Sequence, residues 1–172
     1  MSRKSTTRNI LLLALFAAIS IILTRFLSFY LPILAVNTVR ISLGNVPIIL
    51  AGLILGPFAG AATGIVADVI GATMFSALGY FPGFTLSAAL VGFLPGILKR
   101  YYTTGKYSNI LIIVFITELI TSMGLNTLWV SILSGANYFV LLIPRVGITL
   151  IMMLLYSWII YILLKRLNKV IL

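Results

Sequence analysis

Apolar residues run in long blocks along this chain, broken by short polar or glycine–proline punctuation. A helix needs roughly 20 apolar residues to cross a bilayer's hydrocarbon layer. Six such blocks fit, at about residues 9–29, 41–55, 56–75, 84–98, 109–133 and 145–164. The second and fourth are short for a bilayer, which predicts local thinning or burial inside the bundle. Gly56-Pro57 reads as a tight turn, with Pro57 suited to the first position of the next helix. Ser28 to Arg40 mixes apolar and polar residues around Pro32 and reads as a structured lid rather than a plain linker. The expected fold is an all-α membrane protein, a bundle of six transmembrane helices forming a single integral-membrane unit over residues 1–172.

Composition sharpens this reading. Of 172 residues, 62% are hydrophobic and 8% charged, against about 25% charged in an ordinary soluble domain. Cysteine and histidine are absent, which excludes disulfides, thiolate nucleophiles and histidine acid–base chemistry. The two carboxylates, Asp68 and Glu118, are too few for a carboxylate metal cage. No phosphate-binding loop occurs, so the chain does not hydrolyse ATP by itself. Neither a catalytic residue nor a cofactor is expected.

The net charge of +10 would suggest nucleic acid in a soluble protein. Here the cations flank apolar spans, so topology explains them better and no nucleic acid partner is expected. Six spans place Arg3, Lys4, Arg8, Lys99, Arg100, Lys106, Lys165, Arg166 and Lys169 on one side, nine of the twelve basic residues. The positive-inside rule makes that side, with both termini, cytoplasmic in a multi-pass plasma-membrane protein. The basic start followed by residues 10–23 superficially resembles a signal peptide, but no clear small-x-small site follows, so a retained first span is expected.

Arg25, Arg40 and Arg145 fall at the external ends, where topology gives no reason for them. Each either snorkels to lipid headgroups or helps hold an anion, since a guanidinium grips a carboxylate with two parallel hydrogen bonds. Asp68 lies mid-span and needs a partner: an arginine that locks the bundle, or a polar ligand. Glu118 is open to the same two readings, with locking favoured. Asn126 and Trp129 share a helix face and suit a planar heteroaromatic ring, or else form an interhelical bond and an interfacial anchor. Gly60, Gly64, Ala67 and Gly71 read as packing, whereas Ala14 and Ala18 offer a small-residue stripe able to face another protein.

The runs Arg40-Ile41-Ser42-Leu43-Gly44-Asn45-Val46-Pro47, Gly56-Pro57-Phe58-Ala59-Gly60-Ala61 and Ala67-Asp68-Val69-Ile70-Gly71 resemble the substrate-binding S-components of energy-coupling-factor (ECF) vitamin transporters. Tyr80-Phe81-Pro82-Gly83-Phe84-Thr85, Leu125-Asn126-Thr127-Leu128-Trp129 and Pro144-Arg145 resemble the folate branch in particular. The resemblance implies folate bound at the external mouth. It also implies a membrane scaffold subunit docked on Ala14-x-x-x-Ala18, with two cytosolic ATPases. Folate's chemistry suits the candidate residues: the arginines for its anionic tail, Tyr80, Phe81, Phe84 and Trp129 for its rings, and Asp68 or Asn126 for the pterin edge. The competing readings are an S-component for another vitamin, such as pantothenate or riboflavin, and a small oligomeric channel or structural membrane protein.

Overall fold

A computed structural model describes residues 3–33, 36–75, 80–101 and 106–171, with the side chains of 3–6, 29–40 and 168–171 outside the described set. Helix α1 (Arg3–Arg25) leads into an antiparallel hairpin of β1 (Phe29–Ile33) and β2 (Val36–Ile41). Then come α2 (Asn45–Leu55), α3 (Pro57–Phe75) and α4 (Pro82–Leu98). A continuous rod follows, built of α5 (Tyr107–Glu118), a π-helical segment (Leu119–Asn126) and α6 (Thr127–Ser134), and α7 (Tyr138–Ile171) closes the chain.

Among the described residues four helices are long and apolar enough to cross a membrane: Thr7–Arg25, Pro57–Phe75, Tyr107–Ser134 and Tyr138–Leu167. The two short ones are α2 and α4. The all-α expectation needs one amendment, because the segment read as a lid is a β-hairpin. Its register pairs Phe29 with Ile41 and Tyr30 with Arg40, then shifts between Leu31 and Pro32. Proline has no N–H to give to a ladder, which accounts for a shift at that point. The sixth helix also starts earlier than expected, at Tyr138 rather than near Arg145, and carries Pro144 inside it.

Glycines let α2, α3 and α4 approach at backbone distance. A Cβ added at Gly92 would sit 2.0 Å from the Gly60 carbonyl oxygen, and one at Gly52 would sit 2.1 Å from the Gly92 oxygen. One at Gly64 would meet the Ala88 oxygen at 2.0 Å. The packing role expected of Gly60 and Gly64 is therefore observed, whereas Gly71 lies against the Arg25 guanidinium. Helix α2 is buried along most of its length, from Val46 to Leu53, which answers the question its shortness raised. Core side chains Ile49, Leu53, Ile110, Ile113 and Ile160 fill the space between α2, α5 and α7. The outward faces carry apolar residues such as Leu11, Leu15, Ile151 and Trp158, the surface that lipid would cover.

Alternation of the rods gives the bundle two ends. One holds the C-terminus of α1, the hairpin, the N-termini of α2, α4 and α7, and the C-termini of α3 and α6. The other holds the Gly56-Pro57 turn and the cations Lys99, Arg100, Lys106, Lys165 and Arg166. At this basic end Lys99 Nζ donates to the Leu53 carbonyl, 2.7 Å away, and so satisfies an acceptor at the C-terminus of α2.

Candidate substrate site at the hairpin end

The segment between the hairpin and α2 is held by a run of hydrogen bonds. Ser42 Oγ donates to the Leu23 carbonyl (3.1 Å) and accepts from the Gly44 N–H (3.1 Å). Ser20 Oγ donates to the Gly44 carbonyl (2.8 Å), and the Tyr156 hydroxyl donates to the Ser42 carbonyl. Asn45 Nδ2 donates to Glu118 Oε1 at 3.0 Å, and Ser122 is a further partner of that carboxyl. Glu118 is 3% exposed. It therefore ties α2 to α5, but through Asn45 and Ser122 rather than the arginine expected of a lock, and among the described residues its hydrogen bonds go to none of the other candidates.

Asp68 accepts a hydrogen bond from Thr85 Oγ1 at 2.8 Å. Tyr80 Oη lies 3.1 Å from the same hydroxyl oxygen. Threonine has one hydroxyl hydrogen and the carboxylate takes it, so Tyr80 is the donor to Thr85. The relay Tyr80–Thr85–Asp68 joins α3 to the start of α4, and among the described residues the hydrogen-bond partner of Asp68 is a hydroxyl rather than an arginine.

Pro82 at the first position of α4 aligns that helix start, and the aromatic residues gather around it. Phe81 meets Phe84 edge-on at 5.7 Å between centroids and Trp129 at 5.9 Å, tilted. Gly83 lies beneath them: a Cβ there would be 2.4 Å from Phe81 Cε1 and 2.7 Å from Trp129 Cδ2. Trp129 Nε1 donates to Ser87 Oγ at 3.1 Å, which fixes the indole to α4.

The arginines divide. Arg145 is buried, 8% exposed, and its Nη1 donates to Thr127 Oγ1 at 3.2 Å. Burial rules out the lipid-headgroup reading for this residue. Arg25 is half-buried, with its guanidinium over Gly71, where a Cβ would come within 3.0 Å of Nε. Gly71 is three residues beyond Asp68 and on the same face of α3. Arg40 lies in β2, and its side chain falls outside the described residues. Asn126 closes the π segment, and its Oδ1 is buried with no donor among the described residues. Such an acceptor costs about 1–3 kcal/mol when left unpaired.

The site thus gathers Asp68, Tyr80, Phe81, Phe84 and Trp129 around the N-terminus of α4, with Asn126 on the same rod as Trp129 and Arg145 on α7 bonded to that rod at Thr127. Thr85, Ser87 and Thr127 link them and were not singled out from the sequence. Their signal was faint: each hydroxyl lies within three residues of a candidate, inside an otherwise apolar span. At α1, Ala14 and Ala18 are exposed while Ala17 between them is 2% exposed, so the small stripe faces away from the bundle.

Residues 8–172 match the family described as ECF transporter, substrate-specific component. A folate transporter, FolT, of Clostridium novyi (strain NT) is 32% identical over 149 residues, covering 87% of this chain and 83% of that protein. FolT of Leuconostoc mesenteroides subsp. mesenteroides is 27% identical over 168 residues, covering 95% and 88% respectively. The fold is similar to a crystal structure of FolT bound with folic acid, with a TM-score of 0.81, 29% identity, and coverage of 94% of this chain and 96% of the other. With its apolar helices and the aromatic and polar cluster at one end, the chain belongs to the substrate-specific components of ECF transporters.

Proposed function

We propose that this protein binds folate at the hairpin end of its bundle and is the folate-capturing subunit of an ECF importer. The observation that carries the reading is the likeness, over 94% of the chain, to FolT bound with folic acid. The site's chemistry supports it. A pterin is flat and rimmed with N–H donors, and Asn126 Oδ1 is a buried acceptor without a donor among the described residues. Trp129, Phe81 and Phe84 supply ring faces and edges for it and for the aryl linker. Asp68, held by Thr85, is a second acceptor for the pterin edge. Arg145 and Arg25, with Arg40 from the hairpin, serve the glutamate tail.

In this reading the six rods each cross the membrane, and both termini are cytoplasmic. Nine cations would then lie inside, as the positive-inside rule favours. Delivery uses a membrane scaffold subunit and two cytosolic ATPases, since this chain has no nucleotide-binding loop. The outward Ala14–Ala18 stripe is the scaffold's docking face, because small residues allow helices to approach closely. The test is calorimetry of the purified protein against folate, pantothenate and riboflavin. Saturable binding of folate alone is expected, and a preference for either other vitamin refutes the assignment.

A further inference from the structure

We infer that the π segment and Thr127 form a seat that positions Arg145 for the ligand's anionic tail. The inference rests on the folate reading above and adds a positioning residue to it. Three buried threonines line one rod, and their hydroxyl bonds differ. Thr117 Oγ1 donates to Ile113 O and Thr121 Oγ1 to Thr117 O, each four residues back and 2.8 Å away. These are the ordinary back-bonds of an α-helix. Thr127 Oγ1 instead reaches Ser122 O, five residues back, at 3.2 Å. The carbonyl four residues back, Met123 O, accepts from the Tyr138 hydroxyl at 3.0 Å.

The wider π turn therefore presents two neighbouring carbonyls to different partners. A single-turn π distortion inside an α-helix commonly marks a functional position. Here its partners converge on α7. Tyr138 and Arg145 are seven residues apart, two turns along one face of that helix. Tyr138 bonds the π segment itself, and Arg145 Nη1 bonds Thr127 Oγ1.

Hydrogen counting fixes the direction of the chain. Arginine only donates, and a threonine hydroxyl has one hydrogen. Thr127 therefore gives its hydrogen to Ser122 O and accepts from Arg145. Thr127 is fully buried and Arg145 nearly so. The bond thus persists without competition from bulk water and holds the planar guanidinium in one orientation. Asn126 and Trp129 lie on either side of Thr127 in sequence, so one distorted turn sets the bearings of the tail-binding and ring-binding groups together.

The test uses the full-length purified protein, folate titration and thermal unfolding without ligand. Thr127→Val keeps the shape and removes the acceptor, and Thr127→Ala is the variant to use if valine prevents folding. Either is expected to weaken folate binding roughly five- to ten-fold. Thr127→Ser should restore affinity to within about two-fold, because it returns the hydroxyl. In an Arg145→Ala background Thr127→Val should add nothing further, since its effect acts through the missing arginine. A lowered unfolding temperature with unchanged folate affinity overturns the seat and leaves Thr127 a packing residue. Full additivity with Arg145→Ala, or failure of serine to rescue, also overturns it. Wild-type protein that binds no folate overturns the functional reading and this inference with it, so the two failures are distinguishable.

Discussion

The two ends of α4 are built on opposite principles. Its C-terminal half presents Gly92 and Gly96, against which the backbones of α2 and α3 lie with no room for a methyl group. Its first turns, ahead of the Ala88 contact with Gly64, present Thr85 and Ser87, whose hydroxyls reach Asp68 on α3 and Trp129 on α6, and Phe84, whose ring meets Phe81 just before the helix. Backbone-to-backbone packing is stiff and tolerates no substitution, because neither partner can change rotamer. Side-chain contacts leave a wider gap, which can be shaped to a ligand. One helix thus anchors the bundle at the basic end and furnishes the site at the other.

This contrast can be broken most severely at Gly92. Gly92→Leu should destabilise the bundle by about 3 kcal/mol or more, since the new side chain has to push back a carbonyl rather than a flexible group. Thermal unfolding in detergent measures this, and near-wild-type stability would show that α3 and α4 can separate freely. Next in size is Arg145→Ala, expected to weaken folate binding about ten- to a hundred-fold, the loss of a charge-assisted hydrogen bond. Arg145→Lys should recover only part, because lysine keeps the charge without the planar fork. Titration calorimetry decides this, and pteroate, which lacks the glutamate tail, should lose less affinity than folate.

A smaller effect is expected at the ring-binding end. Ser87→Ala removes the acceptor for Trp129 Nε1, a loss of about 1 kcal/mol or five-fold in affinity. Indole fluorescence should report a looser Trp129 with little change in unfolding temperature. If stability falls as far as in Gly92→Leu, the two halves of α4 do not differ as described. The smallest effect on binding belongs to Ala14→Trp with Ala18→Trp, within about two-fold of wild type, because that face turns outward. Uptake by cells carrying the complete importer should nevertheless fail. A binding defect of the isolated double variant would place the stripe inside the bundle instead.

Hydropathy made the rods legible, because lipid demands long apolar stretches and tertiary contacts do little to alter that demand. Legibility ended where a feature depends on a distant partner. Glu118 had only local hydroxyls to offer as neighbours in sequence, yet its partner Asn45 is 73 residues away. The π segment left no mark in the spacing of Leu119 to Asn126, since it is sustained by bonds from Thr127 and Tyr138. A charge usually marks the edge of a span, which puts the start of the sixth near Arg145, but α7 begins two turns earlier, at Tyr138. The aromatic group was readable because Tyr80, Phe81 and Phe84 cluster within one turn. The hydroxyls that orient it were not, because serine and threonine are common in apolar helices and bond their own backbone there.

The turn at Gly56 has a consequence for biosynthesis. Its φ of +99° reverses the chain between α2 and α3 with no other linking residue. At about 1.5 Å per residue, the 11 residues of α2 reach only about half of the ~30 Å layer. Such a segment is a weak substrate for independent insertion, so α2 and α3 should enter the bilayer together as one hairpin. The α2 surface then waits for α4 to be made before Gly52 is covered by Gly92 and Gly96. A cysteine at Ile48 is expected to stay reactive in nascent chains ending before Pro82 and to become shielded once α4 has emerged; early shielding would mean that α2 finds its cover elsewhere.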